Sequence, residues 1–353
     1  MSSVTESAPG TTAIDTRAVA AQPAWRRLLA TRATGILVLD LLLFLLFTVL
    51  SDGLFASLAN VQSLLLSMTE ALLLAVGLAM MLGAGIFDLS LGANLVLSSV
   101  VGATLMSTVG QRSADGTSYE NLGVTVAVGV GGCLLTGALF GLVNGFLVAY
   151  WRINALIATL GTLGVGTGLA FVVSGGADIA GLPPEVQSGF GLVTLGVIPV
   201  PAIVALLIAA AMYFCIRFTR FGSRTVAIGS ATSAAERAGI RVPLHLLRLA
   251  VLAGLLAGVA GFIDLSHFTS TSLNGHANDA LNAVTAAVIG GTLLEGGKVS
   301  IPGALWGTGL AVILQGGLVI VGVSSYYQLM AVGIVLIVAV GLDRVSSLRR
   351  DRR

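Results

Sequence analysis

Charge, cysteine and histidine are all scarce in this sequence. Only 10% of the 353 residues are charged, whereas a soluble domain carries about 25%. This deficit excludes a water-facing surface of ordinary size. The two cysteines exclude a disulfide framework. A net charge of +2 gives no indication of a nucleic-acid partner.

Apolar residues make up 56% of the chain and fall into long runs. Runs of about 20 apolar residues span the hydrocarbon core of a bilayer as helices. The runs cover residues 33–50, 61–83, 90–109, 122–149, 154–174, 192–216, 246–266, 281–294, 300–321 and 327–342. They predict an all-α integral membrane protein with about ten transmembrane helices, of which 281–294 is the shortest.

Arginines occur mainly before the first run, in the loop 217–246 and after the last run. With ten spans all three groups lie on one side of the membrane, which the positive-inside rule makes the cytoplasm. We therefore predict a flexible cytoplasmic tail at 1–32, a transmembrane domain at 33–343 and a basic cytoplasmic tail at 344–353. Both termini are expected in the cytoplasm.

The two halves of the chain resemble each other weakly. Gly137-Ala-Leu-Phe-Gly141 is similar to Gly303-Ala-Leu-Trp-Gly307, and glycine-rich breaks occur at 83–92 and 290–297. Paired interrupted segments are typical of transporters built from internal repeats. An inverted repeat is one interpretation, and chance similarity between two glycine-rich helices is the other.

Polar residues near these breaks are candidates for a translocation path, because polar groups inside a membrane must face protein or water. Asp88 with Ser90 can instead cap the next helix, and bonding between helices is an alternative for any single amide. Neutral amides suit a hydroxyl-rich, neutral solute. The path candidates are Asp88, Ser90, Asn94, Asn144, Thr159, Gly290, Gly291 and Gln315.

The arginine-rich loop 217–246 contains the signals of a short helix. Ser233 and Glu236 have the spacing of a capping box, Gly239 suits the end of a helix, and Pro243 suits the first turn of the next span. A short helix between two membrane spans gives another protein a rigid feature to bind. The alternative is an ordinary loop whose arginines only set the orientation.

Other functional classes fit the residues less well. Val288–Lys298 does not have the spacing of a phosphate-binding loop, and Val299 stands where that motif needs Ser or Thr. An intramembrane protease using Asp88 and Asp264 lacks the Gly-x-Gly-Asp pattern. An ion-coupled transporter, with Glu70 and Asp264 as proton carriers, remains an alternative.

A metal site built from His267, His276 and Asp279 matches no known spacing. A solvated loop is therefore the preferred interpretation of these three residues, and no metal site is predicted.

Four stretches resemble the permease subunits of ribose and simple-sugar ABC importers. They are Gly85–Gly92, ending Phe-Asp-Leu-Ser-Leu-Gly; Ala155-Leu-Ile-Ala-Thr-Leu-Gly-Thr162; the loop from Phe221-Gly to Ala238-Gly-Ile240; and Ala286-Ala-Val-Ile-Gly-Gly-Thr292 with Gly296-Gly297. The resemblance extends over roughly residues 60–342. Ile86 and Phe87 depart from the usual pattern of the family, which leaves the solute open.

The resemblance implies a transport subunit rather than an enzyme, with the type II architecture of the vitamin B12 importers. It implies a homodimer or a pair with a homologous permease in the bacterial inner membrane, surrounded by lipid. A separate ATPase subunit would bind ATP and magnesium, this chain would bind no cofactor, and an extracytoplasmic binding protein would deliver a small neutral sugar or polyol. The related branched-chain amino-acid permeases are the alternative. Contacts to the ATPase are implied for Phe221, Gly222, Ala227, Gly229, Ser233, Ala234, Ala235, Glu236 and Gly239.

Overall fold

The computed structural model describes residues 32–110, 119–324 and several positions between 326 and 337. The helices of at least six residues in this part of the chain are α1 Arg32–Leu50, α2 Leu58–Gly83, α3 Leu91–Val109, α4 Leu122–Ala149, α5 Ala155–Ser174, α6 Val200–Phe218, α7 Arg220–Ser230, α8 Thr232–Arg237, α9 Val242–Phe268, α10 Asp279–Ile289 and α11 Ile301–Ile320. Short helical turns occur at Leu54–Ala56, Pro184–Val186 and Gln187–Gly191. Strands β1 Thr194–Leu195 and β2 Ile198–Pro199 form an antiparallel hairpin.

Eight of these helices are long and apolar enough to cross a membrane, namely α1 to α6, α9 and α11. The prediction of an all-α integral membrane protein is thereby confirmed. The predicted span 281–294 is α10, whose 11 residues extend only about 16 Å. The predicted span 327–342 lies largely outside the described residues, as do the tails 1–32 (apart from Arg32) and 344–353.

One predicted span began too early. Residues 192–199 were assigned to the run 192–216, but they form the hairpin of β1 and β2 that precedes α6. Gly196 has a φ of +66° in the turn of this hairpin, a conformation that glycine adopts without steric cost. Hydrophobicity alone does not separate such an apolar hairpin from the start of a helix.

The loops collect at two opposite ends of the helices. One end, the hairpin face, carries residues 51–57, 175–199 and 269–278, which are connected by hydrogen bonds such as Ile179 N to Thr271 Oγ1 at 2.8 Å. The other end, the arginine-rich face, carries residues 84–90, 150–154, 219–241 and 290–300. There the Gly297 amide donates to the Gly83 carbonyl at 3.0 Å.

The core lies around α2, α3 and α9, whose apolar side chains are largely buried. Helices α1, α4, α5 and α6 instead expose many large apolar side chains on one side. A water-soluble protein rarely shows apolar patches of this extent. These outer surfaces therefore suit contact with lipid or with other membrane helices.

Helices α4 and α9 approach backbone to backbone through glycine. A methyl group on Gly137 would meet the Gly254 carbonyl, and one on Gly141 would meet the Ala250 carbonyl. The absence of a side chain at these positions lets the antiparallel helices pack closely, as small residues do in membrane proteins generally.

Helices α10 and α11 repeat this arrangement. A methyl group on Gly303 would meet the Gly290 carbonyl, and one on Gly307 would meet the Ala286 carbonyl. The two similar sequences identified in the two halves of the chain therefore have the same packing role. In each sequence, two glycines leave room for the backbone of an antiparallel neighbouring helix.

Candidate functional site

The loop between α2 and α3 is held by a buried polar network. The Asp88 carboxylate accepts hydrogen bonds from the Ser90 amide at 2.8 Å and the Ser90 hydroxyl at 2.6 Å. The Asn144 amide group, from α4, donates to the Ser90 hydroxyl at 2.7 Å and to Asp88 Oδ2 at 3.4 Å. The Thr159 hydroxyl, from α5, accepts a hydrogen bond from the Leu89 amide at 3.3 Å. The network fixes the loop against two other helices.

Ser90 is the N-cap residue of α3, but its side chain caps no amide of the helix. Its hydroxyl instead donates to Asp88, so the predicted capping pair is an internal bond of the loop. Asn94 lies one turn further along α3 and donates to the Gly137 carbonyl at 3.3 Å. All five polar path candidates near this break are buried and bonded within the chain.

The other path candidates lie elsewhere. Gly290 follows α10 and packs against Gly303, while Gly291 has a φ of +89° in the next loop. Gln315, on α11, lines a cavity. The structure therefore brings Asp88, Ser90, Asn144 and Thr159 together and places Gln315 apart from them.

This cavity has a volume of about 530 Å³, within the usual range of ligand pockets. Its lining comes from α2, α9, α10, α11, the loop 269–278 of the hairpin face and Gln328. Neutral side chains that form hydrogen bonds line much of it, and no arginine or lysine does so among the described residues. These neutral groups are Asn60, Ser63, Ser67, Ser272, Asn282, Thr308, Gln315 and Gln328.

A charged cluster also lines the cavity. Glu70, Asp264 and His276 place one potential ligand atom each within 4.8 Å of one another. His276 Nδ1 lies 2.7 Å from Asp279 Oδ2, and its Nε2 lies 3.2 Å from Asp264 Oδ1. Burial disfavours the charged imidazole, but the two adjacent carboxylates outweigh this effect and raise the pKa of His276 to about 11.

These residues stand out in the sequence, but their spacing does not show that they form one cluster. Sequence proximity groups His276 and Asp279 with His267, but Glu70 and Asp264 complete the cluster, and they come from other helices. The protease interpretation also fails, because Asp88 is near the arginine-rich face and Asp264 is near the hairpin face.

Asp40 was missed altogether. It interrupts the leucine run of α1, which is the one signal the sequence offers, and it is 4% exposed with no hydrogen-bond partner. Its carboxylate faces Gly309 of α11.

The arginine-rich loop folds as two helices rather than one. Helix α7 was not predicted; it buries Gly222, Thr225 and Ile228 on one side. Helix α8, Thr232–Arg237, covers most of the short helix predicted from Ser233 to Gly239, although its N-cap is Ala231 and Ser233 lies inside it. Gly239 follows the helix with a φ of +81°, as predicted for a helix end, and Pro243 lies in the first turn of α9.

The short helix α8 projects from the arginine-rich face. Ala235 is buried against Ile228 and Val242, whereas Ser233, Ala234 and Glu236 are exposed. One apolar contact thus anchors the helix and leaves its other sides free in this chain. Of the remaining residues implied to contact the ATPase, Phe221, Ala227 and Gly229 are partly buried in α7.

Comparison with known proteins identifies the class of this chain. Residues 60–340 match the family described as the permease component of the branched-chain amino acid transport system. The chain belongs to this permease family. The ribose import permease protein of Bacillus subtilis is 36% identical over 74% of the chain and 77% of its own length.

Two further relatives of this permease are named as sugar permeases. The D-allose transport system permease protein of Escherichia coli is 33% identical over 74% of the chain and 76% of its own length. The galactose/methyl galactoside import permease protein of the same species is 30% identical over 88% and 94%. No solved structure matches the chain. The resemblance to simple-sugar permeases drawn from the four motifs is confirmed, and the protein is a transport subunit.

In this permease α7 touches both interrupted segments. Gly229 lies against the Gly83 carbonyl at the end of α2 and against the Gly297 amide in the loop before α11. These two backbone groups are themselves hydrogen-bonded at 3.0 Å. A helix adjoining the exposed α8 therefore contacts the backbone at both breaks.

Proposed function

We propose that this chain is the membrane-spanning subunit of an ATP-driven, binding-protein-dependent importer of a small neutral sugar or polyol. The observation that carries this proposal is the polar cavity on the hairpin face, opposite the exposed helix α8. Membership in the permease family and the sugar names of its relatives support it.

The arginine-rich face would lie in the cytoplasm, as the positive-inside rule favours. There α8, with exposed Ser233, Ala234 and Glu236, would dock an ATPase subunit that binds ATP and magnesium. The hairpin face would receive solute from an extracytoplasmic binding protein. Both termini would be cytoplasmic, with a tenth span completing the fold in a type II architecture. Two permease chains, identical or homologous, would form the complete path in the bacterial inner membrane.

The cavity chemistry favours a neutral solute over an amino acid. Amides and hydroxyls such as Asn282, Gln315 and Ser67 can both donate to and accept from sugar hydroxyls. An amino acid would also need a positive partner for its carboxylate. The nearest cation in the lining, His276, already lies against Asp264 and Asp279, and these carboxylates would repel a third.

The test is ATP hydrolysis by the complex reconstituted with its ATPase and binding protein. A panel of pentoses, hexoses and polyols should stimulate hydrolysis, whereas leucine, isoleucine and valine should not. Gln315→Leu should reduce stimulation by the active sugar. Gln62→Leu, in the part of α2 next to the hairpin face but outside the cavity lining, is the matched control and should not. Stimulation by the amino acids alone would overturn the sugar assignment.

A further inference from the structure

The charged cluster on the cavity wall joins three separate parts of the fold. Glu70 belongs to α2, Asp264 to α9 and His276 to the loop of the hairpin face. Their potential ligand atoms all lie within 4.8 Å of one another. Ligands 2.0–2.2 Å from a tetrahedral ion lie about 3.3–3.6 Å apart, so the side chains would close by a rotamer adjustment around a shared ion.

The imidazole is oriented as in many metal sites. A metal-binding histidine usually donates its second ring N–H to a carboxylate, which fixes its tautomer and its direction. Here Nδ1 lies 2.7 Å from Asp279 Oδ2, while Nε2 faces Asp264. Asp279 thus occupies the position of the orienting carboxylate, and a metal would bind Nε2 in place of its proton, which is released because a ligating imidazole must be neutral.

The charge of the cluster is compensated only in part. Three carboxylates, of Glu70, Asp264 and Asp279, face a single imidazole, and even a protonated His276 supplies one positive charge against three negative ones. No arginine or lysine lines the cavity among the described residues. Carboxylates in excess of their counter-charges are disfavoured where they are removed from water, as Asp264 is.

Asp264 is the residue that points to a ligand. Its side chain is 0% exposed, it lines the cavity, and neither carboxylate oxygen has a hydrogen-bond partner of acceptable geometry. His276 Nε2 likewise makes no hydrogen bond, and its one close polar neighbour is Asp264 Oδ1 at 3.2 Å. Buried polar atoms in proteins are nearly always satisfied, so a bound cation explains both atoms at once.

We propose that Glu70, Asp264 and His276 bind a divalent transition-metal ion, with Asp279 positioning the imidazole. Mixed carboxylate and imidazole ligands suit Zn²⁺ or Mn²⁺ better than Ca²⁺ or Mg²⁺, which prefer oxygen alone. Zn²⁺ should bind more tightly than Mn²⁺ according to the general affinity order. The ion would connect α2, α9 and the loop 269–278 beside the cavity. This site does not depend on the identity of the solute.

The test uses the full chain, purified in detergent through an affinity tag that contains no histidine. After treatment with a chelator and dialysis, ZnCl₂ and MnCl₂ are titrated by calorimetry, and bound metal is measured by mass spectrometry. We expect one ion per chain, tighter binding of Zn²⁺, and a rise in melting temperature. Absence of a stoichiometric ion at micromolar metal would overturn the proposal.

Variants locate the site. His276→Gln and Asp264→Asn should abolish stoichiometric binding, while Asp279→Asn should weaken it about 10- to 100-fold, as loss of an orienting carboxylate typically does. His267→Gln is the matched control, since His267 lines the same cavity outside the cluster, and it should bind as the wild type does. Size-exclusion profiles check folding. Unchanged binding in His276→Gln, or lost binding in His267→Gln, would refute the assignment.

Discussion

The contact between α7 and the two breaks can be tested with a single methyl group. A Cβ on Gly229 would collide with the Gly83 carbonyl and would lie 2.6 Å from the Gly297 amide. Both partners are backbone atoms, so no side chain can rotate away. Gly229→Ala must therefore push apart the two breaks or distort α7.

The size of the effect follows from three contributions. Overpacking in a filled site costs about 1–3 kcal/mol, and loss of the Gly297–Gly83 hydrogen bond costs about 0.5–1.5 kcal/mol. The gain in helix propensity from glycine to alanine offsets about 1 kcal/mol. The net loss of stability should be about 0.5–3.5 kcal/mol, which for a chain of this length corresponds to a fall in melting temperature of about 1–5 °C.

The assay is thermal unfolding of the purified permease in detergent. Gly161→Ala is the matched control, because a Cβ at Gly161 in α5 would meet nothing within 4 Å. That variant should be as stable as the wild type or slightly more so. If Gly229→Ala has the same melting temperature as Gly161→Ala, the packing argument is wrong.

Two other predictions concern the arginine-rich face and the buried network. Glu236→Pro should break α8, because proline removes a backbone donor and clashes with the preceding turn; stimulation of the ATPase by the loaded binding protein should be lost, whereas Glu236→Ala, which removes one contact but keeps the helix, should reduce it less. Normal stimulation in an intact Glu236→Pro complex would contradict the role of α8. Asn144→Ala removes the donor to Ser90 and Asp88 and should lower stability by about 1.5–3 kcal/mol. Asn121→Ala, whose side chain makes no capping bond, should not, and equal melting temperatures would argue against the network.

Much of the fold was predictable because membrane spans are encoded locally. Apolar runs gave seven of the eight long spans to within a few residues, since length and hydrophobicity suffice for that assignment. Helix α7 was missed because it is amphipathic and polar on average, although the spacing of its buried residues Gly222, Thr225 and Ile228 was a readable signal.

The sites were predictable only in part because they depend on long-range contacts. Asp88 and Asn144 were both named from sequence, but nothing in the sequence joins residues 56 positions apart. The charged cluster likewise needs α2, α9 and the loop 269–278 to meet. Sequence proximity pointed to His267 as the partner of His276, whereas the fold supplies Asp264.

The glycine contacts between α4 and α9 have a consequence for experiments on moving states. Gly137 and Gly141 admit the backbone of α9 at Gly254 and Ala250, and the close contact continues at both ends, where Gly145 lies against Leu247 and Gly258 against the Cys133 carbonyl. The two helices should therefore keep a constant separation throughout the cycle. Spectroscopic distance measurements need such a fixed reference. With one label on α4 or α9, each change in distance can be attributed to the element that carries the second label.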